Sequence, residues 1–229
     1  MKRVTHSFMA AVLVAGLGTS GLTGCSRLNQ TERGAILGAA GGAAVGAVVG
    51  RAVGSTARGA ILGAAVGGAA GAVIGRRMDQ QAQELDAALP PGTTVQRVGE
   101  GIAVSFESGL LFPTNSTVLL PAGQSNLQAL AASLSKYPDT EVLIVGHTDA
   151  DGTDDYNQRL SVQRADAAAA VLASAGVPRN RIQTAGRGES EPIAGNTDEM
   201  GKQQNRRVEV AIFASEEYRR AVERQTGQQ

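Results

Sequence analysis

Ten glycines fall in a strict four-residue register, in two blocks: Gly34, Gly38, Gly42, Gly46 and Gly50, then Gly59, Gly63, Gly67, Gly71 and Gly75. The blocks are copies. Residues 33–51 and 58–76 agree at 15 of 19 positions at an offset of 25, and both open on Arg-Gly-Ala-Ile-Leu-Gly-Ala-Ala. Between Gly34 and Gly75, 27 of 42 residues are Gly or Ala, and no Asp or Glu interrupts them. A four-residue spacing lays the glycines in a groove along one helix face, where a second backbone can come close. In water each glycine costs a helix about 1 kcal/mol relative to alanine, so such a helix needs lipid or a partner to compensate. Each copy carries 17 residues between its arginines, about 25 Å of helix, slightly short for a bilayer unless the arginines snorkel. The expectation is a helical hairpin over 33–77, inserted in a membrane and able to form homo-oligomers through its glycine grooves. A flexible Gly/Ala spacer is the alternative, and the glycine register argues against it.

What precedes the repeats is an address. Lys2 and Arg3 are followed by an apolar run from Phe8 to Leu17, the length of a signal-peptide core and too short to cross a bilayer of about 30 Å. The run leads to Leu22-Thr23-Gly24-Cys25, and Cys25 is the one cysteine of all 229 residues, so no intramolecular disulfide can form. The segment resembles a bacterial lipobox, which implies removal of 1–24, acylation of Cys25, a lipidated stretch over 25–32, and anchoring by several acyl chains in outer-membrane lipid. Ser26 stands after the cysteine where an aspartate would signal inner-membrane retention. The repeats themselves resemble the glycine-zipper regions of bacterial envelope lipoproteins.

Residues 78–92 read as a polar linker closed by Pro90-Pro91-Gly92, and a compact domain is expected over 93–215. Strands are expected at Thr93–Val98 and Ile102–Phe106 around Gly99-Glu100-Gly101, at 141–146, 181–186 and 208–213. Helices are expected at 121–137 and 155–175. The continuous apolar run Val142-Leu143-Ile144-Val145 implies a strand buried on both faces. The fold class is α/β, an α+β sandwich of β-α-β-α-β order, with a mixed sheet and two main helices on one face. Residues 216–229 read as a C-terminal tail. From residue 90 onward 13 basic and 17 acidic residues leave a net charge of about −4, which argues against nucleic acid as a partner. With seven Phe or Tyr and no Trp, the aromatic girdles of an outer-membrane barrel cannot be built.

Five short motifs then occur in sequence: Phe112-Pro-Thr-Asn115-Ser116, Gly146-His147-Thr148-Asp149, Tyr156 to Ala165 (YNQRLSVQRA), Gly186-Arg-Gly188-Glu189-Ser-Glu-Pro192, and Asn205-Arg206-Arg207-Val208. Together they resemble the C-terminal peptidoglycan-binding domain of the OmpA family. The resemblance implies that Asp149 and Arg164 hold the diaminopimelate residue of the peptidoglycan stem peptide non-covalently, with Asn157, Asn115, Arg206 and Thr148 contributing contacts.

The residue chemistry is consistent with that role. Diaminopimelate carries a second ammonium and a second carboxylate on one carbon, matched by an anion and a planar bidentate cation. Asn157 and Arg164 are seven residues apart, within about 20° on a helix, with Ser161 on the same stripe. Without the resemblance, Asp149 and Arg164 would read as an internal salt bridge.

Other chemistries fit poorly. His147 lacks the partners of a metal site or a triad with Ser161, and Asp149 to Leu160 lacks the Gly and Glu that a calcium loop requires at its sixth and twelfth positions. No cofactor or metal is expected, and no enzyme. The sequence reads as a non-enzymatic lipoprotein tethering outer membrane to peptidoglycan. The alternative is a wall-anchored component of an envelope transport or pore assembly whose zipper helices oligomerise. A proton-driven stator would need an ionisable residue within the spans, and neither repeat has one.

Overall fold

A computed structural model describes residues 54–113 and 115–227. Five strands, β1 (Thr93–Val98), β2 (Gly101–Glu107), β3 (Thr140–Gly146), β4 (Ile182–Gly186) and β5 (Arg207–Ala214), form one sheet in the order β1-β2-β5-β3-β4. All pairs are antiparallel except β3 with β4. The helices are α1 (Thr56–Gly63), α2 (Gly68–Ala88), the single turn α3 (Ser108–Leu111), α4 (Pro121–Lys136), α5 (Asp154–Ser174), α6 (Glu199–Asn205) and α7 (Glu216–Thr226). The expected strands and the two expected helices are present within a residue or two.

Alternation of side chains along each strand divides the sheet into two surfaces. On one, Val104, Phe106, Val142, Ile144, Val210 and Ile212 meet α2, α4, α5 and α7, among them the fully buried Met78, Leu85, Leu130 and Leu172. On the other, Leu143, Val145, Ala211 and Phe213 meet Ala57, Ala60 and Ile61 of α1 and its C-cap Ala64. The apolar run at Val142–Val145 is therefore buried on both sides, as its composition required. β5 is buried on both sides as well, although its sequence reads as alternating.

The helical surroundings exceed the two main helices expected. The first zipper arm, 34–50, lies outside the described residues. Residues 59–75, expected as the second membrane arm, are divided between α1 and α2, and both helices pack on the sheet. The break has a local cause. Gly67 and Gly68 adopt φ of 73° and 60°, a left-handed conformation that glycine takes without steric cost. The β1–β2 turn presents the Glu100 carboxylate to the freed backbone, where it accepts hydrogen bonds from the N–H groups of Val66 (2.9 Å) and Gly67 (2.7 Å). The glycine stripe is used against this turn: a Cβ on Gly71 would lie 2.1 Å from a Glu100 carboxylate oxygen, and the Gly75 carbonyl accepts from Arg97 at 3.2 Å. Among the described residues no helix is long and apolar enough to cross a membrane.

Two further boundaries move. Residues 78–88 are no linker: they continue α2 and bury Met78, Gln81, Ala82 and Leu85. The tail expected from 216 is helix α7, which Ser215 caps and whose Val222 joins the core. Both segments are rich in charged and amide side chains, so each shows only a narrow apolar stripe, which average polarity conceals.

Candidate functional site: a paired carboxylate and a seated arginine

The carboxyl ends of β3 and β4, the first turns of α5, and α6 with the start of β5 meet at one pole of the sheet. Helix α5 reaches this pole because two strand residues lack side chains. A Cβ on Gly146 would lie 2.1 Å from the Ser161 carbonyl oxygen, and one on Gly186 2.5 Å from the Ser161 hydroxyl. That hydroxyl donates to the Gln158 carbonyl and accepts from the N–H of Gly188 at 2.9 Å. Ser161 is thus a fastening point, and it is not hydrogen-bonded to His147. The stripe expected on α5 is present: Asn157, Ser161 and Arg164 are all buried.

Asp149 leaves β3 three residues beyond its end and is 7% exposed. One carboxylate oxygen accepts from Arg206 at 2.6 Å and the other from the N–H of Asp151 at 3.1 Å. The second amino group of Arg206 donates to Glu199 on α6. Asn157 buttresses the loop from beneath, its amide donating to the carbonyls of Asp149 and Asp151 and to the Glu189 carboxylate at 2.6 Å. Thr148 is pinned by its N–H to the Gly188 carbonyl, and its buried hydroxyl has no partner among the described residues.

Arg164 is not Asp149's partner. Among the described residues it forms no ion pair; its Nε donates to the Ser116 carbonyl at 3.0 Å, and its guanidinium lies 5.4 Å from the Phe112 ring centre. Burial pulls its pKa below the ordinary arginine value, with Tyr156 and Asp149 pulling the other way, and an arginine so placed remains a cation. Its terminal amino groups have no hydrogen-bond partner among the described residues. A cavity of about 130 Å³ lies against them, lined also by Ser108, Gly109, Phe112, Pro113, Gln203 and Arg206. Asn115 is exposed in the adjoining loop with φ 53°, beside the Ser116 that seats Arg164, and no side-chain contact ties it to the other site residues.

Several contributors were not singled out from sequence. Ser108 lines the cavity with a buried hydroxyl that has no partner among the described residues. Lys202 of α6 bonds both Asp151 oxygens, at 2.7 and 2.9 Å, in a second tie alongside Asp149–Arg206. Only their placement after folding marks them, because an isolated Ser or Lys carries no periodic or spacing signal. His147, fully buried, points to the opposite surface, 3.9 Å from Glu209, and burial lowers its pKa to about 3. Among the described residues no group of acidic, His or Cys side chains could hold a metal ion.

The motif residues that build this pole fall within the OmpA family match found by comparison with known proteins. Residues 111–206 match the OmpA family, and residues 1–79 match the YMGG-like Gly-zipper. The chain is 41% identical over 133 residues to the probable lipoprotein YiaD of Escherichia coli, covering 58% of this chain and 61% of that protein. To the outer-membrane lipoprotein YfiB of Pseudomonas aeruginosa it is 37% identical over 115 residues, 50% of this chain and 68% of the other. Among solved structures, the cell wall anchor of the T6SS from Pseudomonas aeruginosa superimposes with a TM-score of 0.53 at 29% identity, covering 61% of this chain and 98% of that one. A putative MotB-like protein from Desulfovibrio vulgaris shares the fold, with a TM-score of 0.57 at 21% identity over 63% of this chain and 95% of its own.

The chain belongs to the OmpA family. It is an outer-membrane lipoprotein with a glycine zipper, and its OmpA-like domain lies in the periplasm. Its match spans 61% of the length of YiaD and 34% of that of the outer membrane porin F of Pseudomonas fluorescens.

Proposed function

We propose that this protein is a non-enzymatic tether: Cys25, acylated, holds the chain in the outer membrane, and the pole around Asp149 and Arg164 grips diaminopimelate of peptidoglycan without a covalent bond. The observation that carries the reading is Arg164, a buried cation with no carboxylate partner among the described residues. It is seated by Ser116 and Phe112 beside a cavity that it shares with Arg206. A ligand carboxylate entering this cavity would meet a planar fork, a second guanidinium and the unpartnered Ser108 hydroxyl. The ligand ammonium would share the Asp149 carboxylate, which Arg206 already holds in place. Ser161, bonded to Gln158 and Gly188, and His147, whose ring faces the opposite surface and makes no hydrogen bond among the described residues, give no support to hydrolysis. The relationship to a cell wall anchor supports the anchoring role.

Purified chain pulled down with isolated sacculi tests the reading. A charge-assisted hydrogen bond is worth about 1.5–3 kcal/mol, so Asp149→Ala and Arg164→Ala should each lose roughly ten- to hundredfold in affinity. Release of soluble muropeptides by the wild-type protein, or wild-type affinity in both variants, would refute it. For the membrane half, Cys25→Ser should abolish labelling by radioactive palmitate.

A further inference from the structure

The sheet surface under α1 is a receptor with two halves. Its apolar half takes Ala57, Ala60, Ile61 and Ala64. Its polar half fixes the start of the helix. Ser55 Oγ donates to Glu209 at 2.9 Å and accepts from the Arg58 N–H, Thr56 N–H donates to Glu191 at 2.9 Å, and Arg187 donates to Thr56 Oγ1 at 2.7 Å. At the far end, Glu100 receives two backbone N–H groups, which any residue but proline can supply.

The chain holds a second candidate for this surface. Residues 30–42 (QTERGAILGAAGG) match 55–67 (STARGAILGAAVG) at 10 of 13 positions. Thr31 repeats Thr56, and Ala35, Ile36 and Ala39 repeat the buried Ala60, Ile61 and Ala64. Position 41 against 66 makes no difference at the receptor: the Val66 N–H bonds Glu100, and its side chain packs on the four-helix cluster instead. The remaining differences fall on the receptor: Gln30 for Ser55, whose short hydroxyl bonds Glu209 and caps the helix, and Glu32 for Ala57, which is fully buried. A carboxylate at that depth, in an apolar cluster and directly after the residues bonded to Glu191 and Glu209, is strongly disfavoured.

We propose that Gln30 and Glu32 are selectivity residues: the receptor recognises the sequence common to both repeats, and these two positions keep the first repeat off it. Two near-identical segments thereby have different addresses. The second belongs to the domain, and the first is left available to membrane or partner.

Thiol alkylation of the unacylated chain in buffer tests this, in a Cys25→Ser background that contains no other cysteine. Reporters are introduced singly as Ala60→Cys or Ala35→Cys. In the parent, the thiol at 60 should react at least about tenfold more slowly than in urea, and the thiol at 35 at nearly the unfolded rate. Exchanging the selectors (Gln30→Ser, Glu32→Ala, Ser55→Gln, Ala57→Glu) should reverse the two rates. Fast reaction at both sites in the exchanged chain, or continued protection at 60, would overturn the proposal. So would protection at 35 that rises with protein concentration, because a neighbouring chain would then be the occupant. Neither rate involves wall binding, so the outcome is independent of the function proposed above.

Discussion

The two surfaces of the sheet are covered by different principles. One lies under four helices, α2, α4, α5 and α7, in a single apolar cluster drawn from the whole length of the domain. The other lies under one eight-residue helix that is apolar at one end and hydrogen-bonded to charged residues at the other. The difference teaches where stability and where specificity reside. Large interdigitated side chains supply the first cover, whereas small side chains and a few directional bonds supply the second, which is weaker and more selective.

That contrast can be tested by substitution, beginning where the effect is largest. Leu130→Ala, in the four-helix cover, should cost about 2–5 kcal/mol in urea unfolding, because the site cannot collapse around the lost methyl groups. Gly186→Ala, also on this side, should cost about 1–3 kcal/mol by driving a methyl group into the Ser161 turn. It should also weaken sacculus binding, since Asn157 and Arg164 share that helix.

On the other surface, His147 is neutral when folded, with a pKa of about 3 against about 6.5 when exposed. The unfolded chain therefore takes up the proton first as pH falls. The stability due to this group is complete above about pH 6.5 and is lost toward pH 3, by up to about 1.4 kcal/mol per pH unit. The wild-type protein should lose stability between pH 6.5 and 4.5 more steeply than His147→Gln, measured as the difference between their urea midpoints.

The smallest effect on global unfolding should come from Ile61→Ala. Losing α1 costs only its docking energy, at most about 2 kcal/mol, so trypsin should cut faster after Arg58 while the circular dichroism of the core persists. A change as large as that of Leu130→Ala would show that the two covers form one cooperative unit.

The strands and the long helices were legible because their signals are local: period-two runs, leucines at helical spacing, and Pro or Gly at the ends. The α5 stripe of Asn157, Ser161 and Arg164 followed from spacing alone. Other features depended on distant partners. The glycine register fits a helix packed on a helix as well as it fits a helix packed on a hairpin turn, and in the second repeat only the proximity of Glu100 decides between them. The pairing of Asp149 with Arg206, 57 residues away, rather than with Arg164, is likewise set by where α6 and β5 place their side chains. The buried residues of α2 and α7 were hidden by their charged neighbours.

One consequence concerns force. The chain enters the domain at Gly54, and its next two residues are bonded to Glu209 and Glu191. Arg207 bonds the Glu191 carbonyl, while its neighbour Arg206 holds Asp149. Entry point and proposed wall site therefore share one pole, so a pull between membrane and wall would load a short series of hydrogen bonds and an ion pair through the first residues of β5 and leave the helical cover and its leucines outside its line. With α1 and α2 fastened to the sheet, the stretch from Cys25 to the domain ends at Gly54 rather than at Gly92. Its greatest span is roughly 100 Å instead of roughly 230 Å, at about 3.5 Å per extended residue.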